Sequence, residues 1–257
     1  MKSSTKKHWQ DFWDVADRIS LEDVYGNDGR IVREISALGS LEGKKVLEVG
    51  AGSGRDAVYL ATAGAEVWTL DYVSGSLELT ISAAKKSGVQ VQPVAGDALA
   101  KPFAENSFDI VFHQGLLEHF RDPLPLLVED LRVLKPGGHL VVDVPQTFHY
   151  YTVGKKILIA MGKWFAGWET QFTPAQLERV GVAAGGELVR TYGDWMVPGL
   201  WYRAIRKVLV SRLGIRLPMY PRGLPLGWLR NLMQENRAAL YTKMTIGVIL
   251  RKPGSAN

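Results

Sequence analysis

V-L-E-V-G-A-G-S-G, from Val46 to Gly54, carries an apolar run directly into glycines at positions 50, 52 and 54. Glycine at such a bend lets the backbone turn tightly and approach a ligand that a Cβ would hold off. Backbone amides left free at the start of the next helix suit a polar or negatively charged group. A dinucleotide loop wants its third glycine at the sixth position, which is Arg55 here, and this weighs against a nicotinamide-dependent oxidoreductase.

Outward from this loop, β-rich runs at Lys45–Val49, Glu66–Leu70, Val89–Val94, Phe108–His113 and His139–Val144 alternate with helical patterns at Gly54–Ala63, Ser74–Ser87 and Leu124–Leu134. Continuous Val/Ile/Leu runs between helices are the mark of a parallel sheet covered on both faces. Two helices are predicted upstream. His8–Arg18 spaces Trp9, Phe12, Trp13 and Ala16 at helical intervals, and Gly29–Leu38 follows. Downstream, Thr173 is positioned to cap a helix that Pro174 begins and that extends to about Ala184. Glu187–Tyr192 and Lys243–Leu250 complete seven strands. Between those two lies an insertion, Gly193 to Thr242, with helices expected at Leu200–Leu213 and Leu226–Leu240; so long a connection is usually functional. The expected fold is α/β, a Rossmann-like doubly wound sheet of seven mostly parallel strands with a helical lid or insertion.

The 257 residues are 46% apolar and 22% charged, enough for one sizeable core. The absence of cysteine excludes disulfides, thiolate metal sites and cysteine nucleophiles, and no metal site is expected. Lysines in Met1–Gln10 precede no apolar stretch, so no signal peptide is expected. Ile157–Met161 is far shorter than the ~20 residues a membrane span needs. These features lead to an expected cytoplasmic location. The net charge of +5 is unevenly spread: His149 to Arg237 holds 13 Lys/Arg against 5 Asp/Glu, and five of the eight tryptophans.

Asp71 ends the second strand about twenty residues after the loop, where a carboxylate can accept both ribose hydroxyls or cap the next helix. Gly96-Asp97-Ala98 follows the third strand. F-D-I-V-F-H-Q-G-L-L-E-H-F spans Phe108 to Phe120, and R-V-L-K-P-G-G-H-L-V-V-D-V-P spans Arg132 to Pro145. Taken in order, these motifs resemble the class I S-adenosylmethionine-dependent methyltransferases, in particular their small-molecule, type 11-like group. The resemblance runs from about Val46 to Pro145, with a weaker echo, F-T-P-A-Q-L-E-R, near Phe172. G-S-G-R-D-A-V-Y-L-A, Gly52 to Ala61, is similar to the version in thiopurine-type and tellurite-type methyltransferases.

The resemblance implies S-adenosyl-L-methionine as cofactor, leaving as S-adenosyl-L-homocysteine, held by Glu48, Gly50, Ala51, Gly52, Gly54, Arg55, Asp71, Tyr72, Asp97, Ala98, His113 and Gln114. It puts Asp97 at the exocyclic amine of adenine with the Ala98 amide nearby; the alternative is a capping role for Asp97. His113 and Gln114 would lie beside the methionine half. Arg55 would approach the cofactor carboxylate or else face solvent. Pro136-Gly137-Gly138 is read as architectural, ending a helix and reversing the chain.

Methyl transfer from a sulfonium needs alignment first, and a general base only where the acceptor must lose a proton. His149, after the fifth strand, is the first choice of base, with His113 and His119 beside it, although His119 also reads as a packed helix residue. Trp9, Trp13, Tyr150, Tyr151, Trp195 and Trp201 are the expected acceptor contacts. Asp143, inside a strand, reads as a structural or pocket-lining carboxylate. The expected organisation is a helical cap over 1–40, a cofactor-binding α/β domain over 41–192 with a helical segment at 149–170, a basic Trp-rich lid over 193–242, and a last strand and tail over 243–257. That lid can equally rest on a membrane surface, because amphipathic helices with Trp and Lys/Arg draw toward anionic lipid. Nucleic acid is disfavoured, since the cations are interleaved with large apolar residues. The expected function is methyl transfer to a small apolar or amphipathic acceptor: a lipid, quinone precursor or natural product. The alternative is a non-catalytic binding module at a membrane or protein surface.

Overall fold

The computed structural model describes residues 5–16, 29–164, 168–195, 200–215, 217, 233 and 236–254. Its strands are β1 Lys45–Val49, β2 Glu66–Asp71, β3 Val91–Ala95, β4 Phe108–Gln114, β5 Leu134–Pro145, β6 Glu187–Asp194 and β7 Thr245–Arg251. They form one seven-stranded sheet ordered β3-β2-β1-β4-β5-β7-β6, parallel except for β7. The described helices are α1 Lys6–Ala16, α2 Arg30–Ser36, α3 Arg55–Thr62, α4 Ser74–Ser87, α5 Leu124–Val133, α6 Tyr150–Ala160, α7 Pro174–Ala183, α8 Leu200–Leu213 and α9 Arg237–Leu240.

Successive strand residues point to opposite faces, so unbroken apolar runs feed two cores. Val46, Ile110 and Phe112 join Ile31, Ile35, Ala57 and Leu60 of α2 and α3 on one face. Leu47, Val111 and Val142 join Leu126, Leu127, Leu131 and Leu177 of α5 and α7 on the other. Each such side chain contributes about 1.5–3 kcal/mol when fully buried. The strand order reverses between β1 and β4, and there the loops at the strands' C-terminal ends part to leave a crevice.

Several boundaries differ from the sequence expectation. Within the 1–40 segment, Ile31 and Ile35 of α2 are fully buried in the sheet's helical layer, whereas Trp9 and Trp13 of α1 reach the crevice. Arg30 enters that layer because its guanidinium meets Asp143 in two contacts, of 2.7 and 3.1 Å, which confirms Asp143 as structural. Lys135 to Gly138 do not form a separate turn but sit within β5. The register jumps from Phe108 opposite Leu134 to Ile110 opposite His139, so the Pro-Gly-Gly stretch is an irregularity inside the strand. Thr173 caps α7 through a reciprocal box with Gln176, as its sequence predicts. Of the helix expected over 226–240, Arg237–Leu240 is helical, and residues 226–232, 234 and 235 lie outside the described residues.

Candidate active site

The crevice is a cleft of about 440 Å³. Its floor is the loop that follows β1. Gly52 and Gly54 hold φ of +55° and +64°, the left-handed region where side chains are strained. A Cβ on Gly52 would lie 2.5 Å from the Trp13 ring, and one on Gly54 would lie 2.3 Å from Thr80 Oγ1. Glycine is thus required twice, by dihedral and by space.

Carboxylates fix the loop from beneath. Glu48 is buried and its Oε2 accepts the Ala57 N–H at 3.1 Å, in the first turn of α3. Burial, with Asp56 adding to it, pushes the Glu48 carboxyl well above its ordinary range. Asp71 Oδ2 accepts the Gly52 N–H at 3.1 Å, and Oδ1 accepts the Val73 N–H at 2.9 Å. The Ser76 hydroxyl lies 2.6 Å from Gly52 O and 2.9 Å from Asp71 Oδ2, tying the two together. Burial raises the Asp71 carboxyl, against these donors. A carboxylate offers about four lone-pair sites, and with Gly52 and Ser76 on Oδ2 a ligand hydroxyl would be met at Oδ1.

The turn after β3 is held from below by α5. Asp97 Oδ1 accepts the Leu99 N–H at 2.9 Å within a turn that no helix follows, so Asp97 caps none, and the residue lines the cleft. Lys101 Nζ donates to Ala98 O at 2.6 Å and meets Asp130 Oδ1 at 3.0 Å. Glu129 Oε1 accepts the Lys101 N–H at 2.7 Å. Tyr72, Arg55, Ala51 and Gln114 complete the wall, and burial raises the Tyr72 phenol to about 12. The lining carries four carboxylates, Glu48, Asp56, Asp71 and Asp97, and one guanidinium, Arg55, a set that fits a nucleoside with a charged tail.

A methyltransferase-domain family model matches residues 47–142. The chain is 42% identical over 108 residues to the demethylmenaquinone methyltransferase of Renibacterium salmoninarum, covering 42% of this chain and 44% of that one. It is 30% identical over 169 residues to the ubiquinone biosynthesis O-methyltransferase of Dinoroseobacter shibae, covering 63% of this chain and 67% of the relative. The chain belongs to the class I S-adenosylmethionine-dependent methyltransferases. It spans less than half the length of the Renibacterium relative. Among solved structures, a methyltransferase of Thermotoga maritima described as a possible histamine N-methyltransferase shares the fold. Its TM-score is 0.63 over 96% of this chain and 98% of that one, at 20% identity.

In this methyltransferase the expected cofactor residues gather in the cleft with two exceptions. Gly54 caps α3 behind the lining. His113 is fully buried beneath the sheet, its Nε2 3.3 Å from Asp130 Oδ2, and it reaches neither cofactor nor acceptor space. The cause is strand alternation: Gln114 faces the cleft, so its neighbour faces α5. His149 is also displaced from its expected role. Its Nδ1 accepts the Tyr151 N–H at 3.2 Å as the cap of α6, it is buried, and burial lowers its imidazole. It is absent from the cleft wall.

Of the expected acceptor contacts, Trp9 and Trp13 on α1 line the cleft. Tyr150 and Tyr151 point outward on α6, 57% and 38% exposed. Trp195 lies off the cleft wall, donating from Nε1 to Thr242 Oγ1 at 3.1 Å. The side chain of Trp201 falls outside the described residues. His119 does line the cleft, edge-on to Trp9 with ring centroids 4.8 Å apart. Its Nδ1 is buried and has no hydrogen-bond partner, and burial takes its imidazole down to about 4.

Sequence reasoning missed the groups behind His119. Glu118 is buried with Oε2 unpartnered, and burial together with Glu169 pushes it up to about 8. Glu169 forms a buried ion pair with Lys155 and accepts Trp164 Nε1–H at 2.5 Å. Lys155 is therefore an interior cation. The signal available was the Glu-His pair at the end of the fourth motif; nothing local marked Glu169 as its neighbour fifty residues on.

Proposed function

We propose that the chain transfers a methyl group from S-adenosylmethionine to a small, largely apolar acceptor of the quinone-precursor kind. One observation carries this reading: a single cleft runs from the glycine loop to an aromatic wall of Trp9, His119 and Phe120. At the nucleoside end Asp71 is assigned to a ribose hydroxyl and Asp97 to the adenine amine, and Arg55, on the same wall beside Asp56, to the carboxylate tail. When bound, the cofactor supplies an activated methyl group. The chain's own residues then align the acceptor, an effect worth roughly 7–11 kcal/mol in favourable cases. A flat, apolar ring suits edge and face contacts from the indoles. His119 lines the cleft in its neutral form, so its ring is assigned the hydrogen-accepting role where a proton must leave. The names of the relatives support a quinone-related acceptor.

The test is an acceptor screen with a methyl-labelled cofactor, setting demethylated quinone precursors against polar amines. Label should enter the quinone precursors, and labelling of amines alone would overturn the acceptor assignment. In titrations with S-adenosylhomocysteine, Asp71→Ala should weaken binding tenfold or more, on the order of 1.4 kcal/mol. Near-unchanged affinity would remove Asp71 from the ribose contacts.

A further inference from the structure

Helix α6 is inside out. Its buried positions are Thr152 and Lys155, the latter paired with Glu169. Its apolar residues face solvent instead. Tyr150 and Ile157 are each 57% exposed, Met161 is 52% exposed, and Val153 and Leu158 are exposed with them. Positions 150, 153, 157 and 161 recur at helical spacing on one face. Helix α8 repeats the inversion: Ile205, Val208 and Leu213 are exposed, whereas Arg206 is half-buried and donates to Leu217 O at 3.1 Å. A soluble helix ordinarily places these residue types the other way round, so the apolar faces call for a cover.

Charge identifies the cover. Apart from the buried Lys155–Glu169 pair, residues 149–169 contain two Lys/Arg and no Asp/Glu, and residues 195–234 contain seven and none. Lys156, Lys163 and Arg212 are exposed beside the apolar faces. A second copy of the same face would bring like charges together, whereas an anionic surface complements it. Position agrees. Pro145 and Asp194, which end β5 and β6, both pair with Thr245, so α6 and α8 leave the sheet at the end that carries the cleft. No helix among the described residues is long and apolar enough to cross a membrane. We infer that this end of the molecule docks on the surface of an anionic lipid bilayer, with α6 and α8 lying in the interface and the cleft opening toward the lipid.

Co-sedimentation with vesicles of phosphatidylglycerol and phosphatidylcholine, against phosphatidylcholine alone, tests this without any acceptor, so its outcome and that of the acceptor screen are read separately. The intact chain should bind the anionic vesicles, and added salt should weaken binding. The double variant Ile157→Glu with Met161→Glu should weaken it about tenfold or more. These positions are more than half exposed, and unchanged S-adenosylhomocysteine affinity would certify the variant's fold. Failure of the intact chain to bind anionic vesicles would overturn the inference, as would equal binding by the variant. A vesicle-free dimer that the variant dissociates would also overturn it, by assigning the face to a second copy.

Discussion

His113 and His119 stand six residues apart, and the polar clusters around them are balanced in opposite ways. Around His113, Lys101 and the imidazole meet the two oxygens of Asp130 at 3.0 and 3.3 Å, all three fully buried. Burial works against the Asp130 charge, but Lys101 and His113 outweigh it and hold the carboxyl below its usual range. Around His119 the groups shed charge instead. Glu118 rises to about 8 and His119 falls to about 4, and Glu118 Oε2 and His119 Nδ1 have no protein partner. Buried polar atoms in a folded chain are normally satisfied. Both clusters keep buried atoms without a hydrogen-bond partner, His113 Nδ1 among them. What separates them is that Lys101 sets a counter-charge against Asp130 at 3.0 Å, whereas the groups around His119, which lines the cleft, shed charge.

The largest effect should come from the balanced cluster. Asp130→Ala strands Lys101 as an uncompensated buried cation, and breaking such a pair costs about 3–5 kcal/mol. Chemical denaturation should register that loss. A change below about 1 kcal/mol would mean that water or a rearranged lysine already satisfies the site, and the contrast between the clusters would fail.

That contrast marks where sequence stops being informative. The parallel sheet and the glycine loop were legible because they rest on local rules: apolar runs, a bend that needs glycine, and an aspartate at a strand end. Trp9 and Trp13 were legible too, since helical spacing put both on one face. His113 misled because one-residue alternation decides which side of the sheet a strand residue faces, and the local motif did not reveal where that alternation began relative to the cleft. His149 misled because a helix cap and a catalytic base can occupy the same place after a strand. Lys155 could not be read as an interior cation, because only Glu169, fourteen residues on, keeps it there. What escaped was long-range electrostatic pairing, which has no fixed sequence period.

The unpaired cluster should show itself in pH dependence. A Glu at 4.5 when unfolded and about 8 when folded binds more protons in the native state between those values. Stability therefore falls as pH rises through that window, and the penalty is complete above it. His119, at 6.5 unfolded and about 4 folded, acts in the other sense: the stability of its neutral form is present above 6.5 and is lost as pH falls toward 4. Glu118→Gln should flatten the decline between pH 6.5 and 8.5, where His119 no longer titrates. Denaturation curves at those two values give the comparison, and parallel slopes for both proteins would show that Glu118 is ionised and paired in the fold.

His119→Phe should change stability least and sharpen the comparison most. The replacement keeps a ring edge-on to Trp9, where the two rings now stand 4.8 Å apart at 75°, and it removes a buried nitrogen that no protein group satisfies. Loss of an unpaired polar atom offsets any misfit of the larger ring, so unfolding free energy should move by no more than about 0.5 kcal/mol. Turnover should behave differently, because a positioned proton acceptor contributes about 10²-fold or more when the acceptor must lose a proton. S-adenosylhomocysteine affinity should hold, since the nucleoside contacts proposed above lie on the glycine loop and the β2 and β3 ends. Turnover equal to that of the unaltered chain would reduce His119 to a packed residue of the cleft wall, and the open cluster would then need a ligand other than the acceptor to explain it.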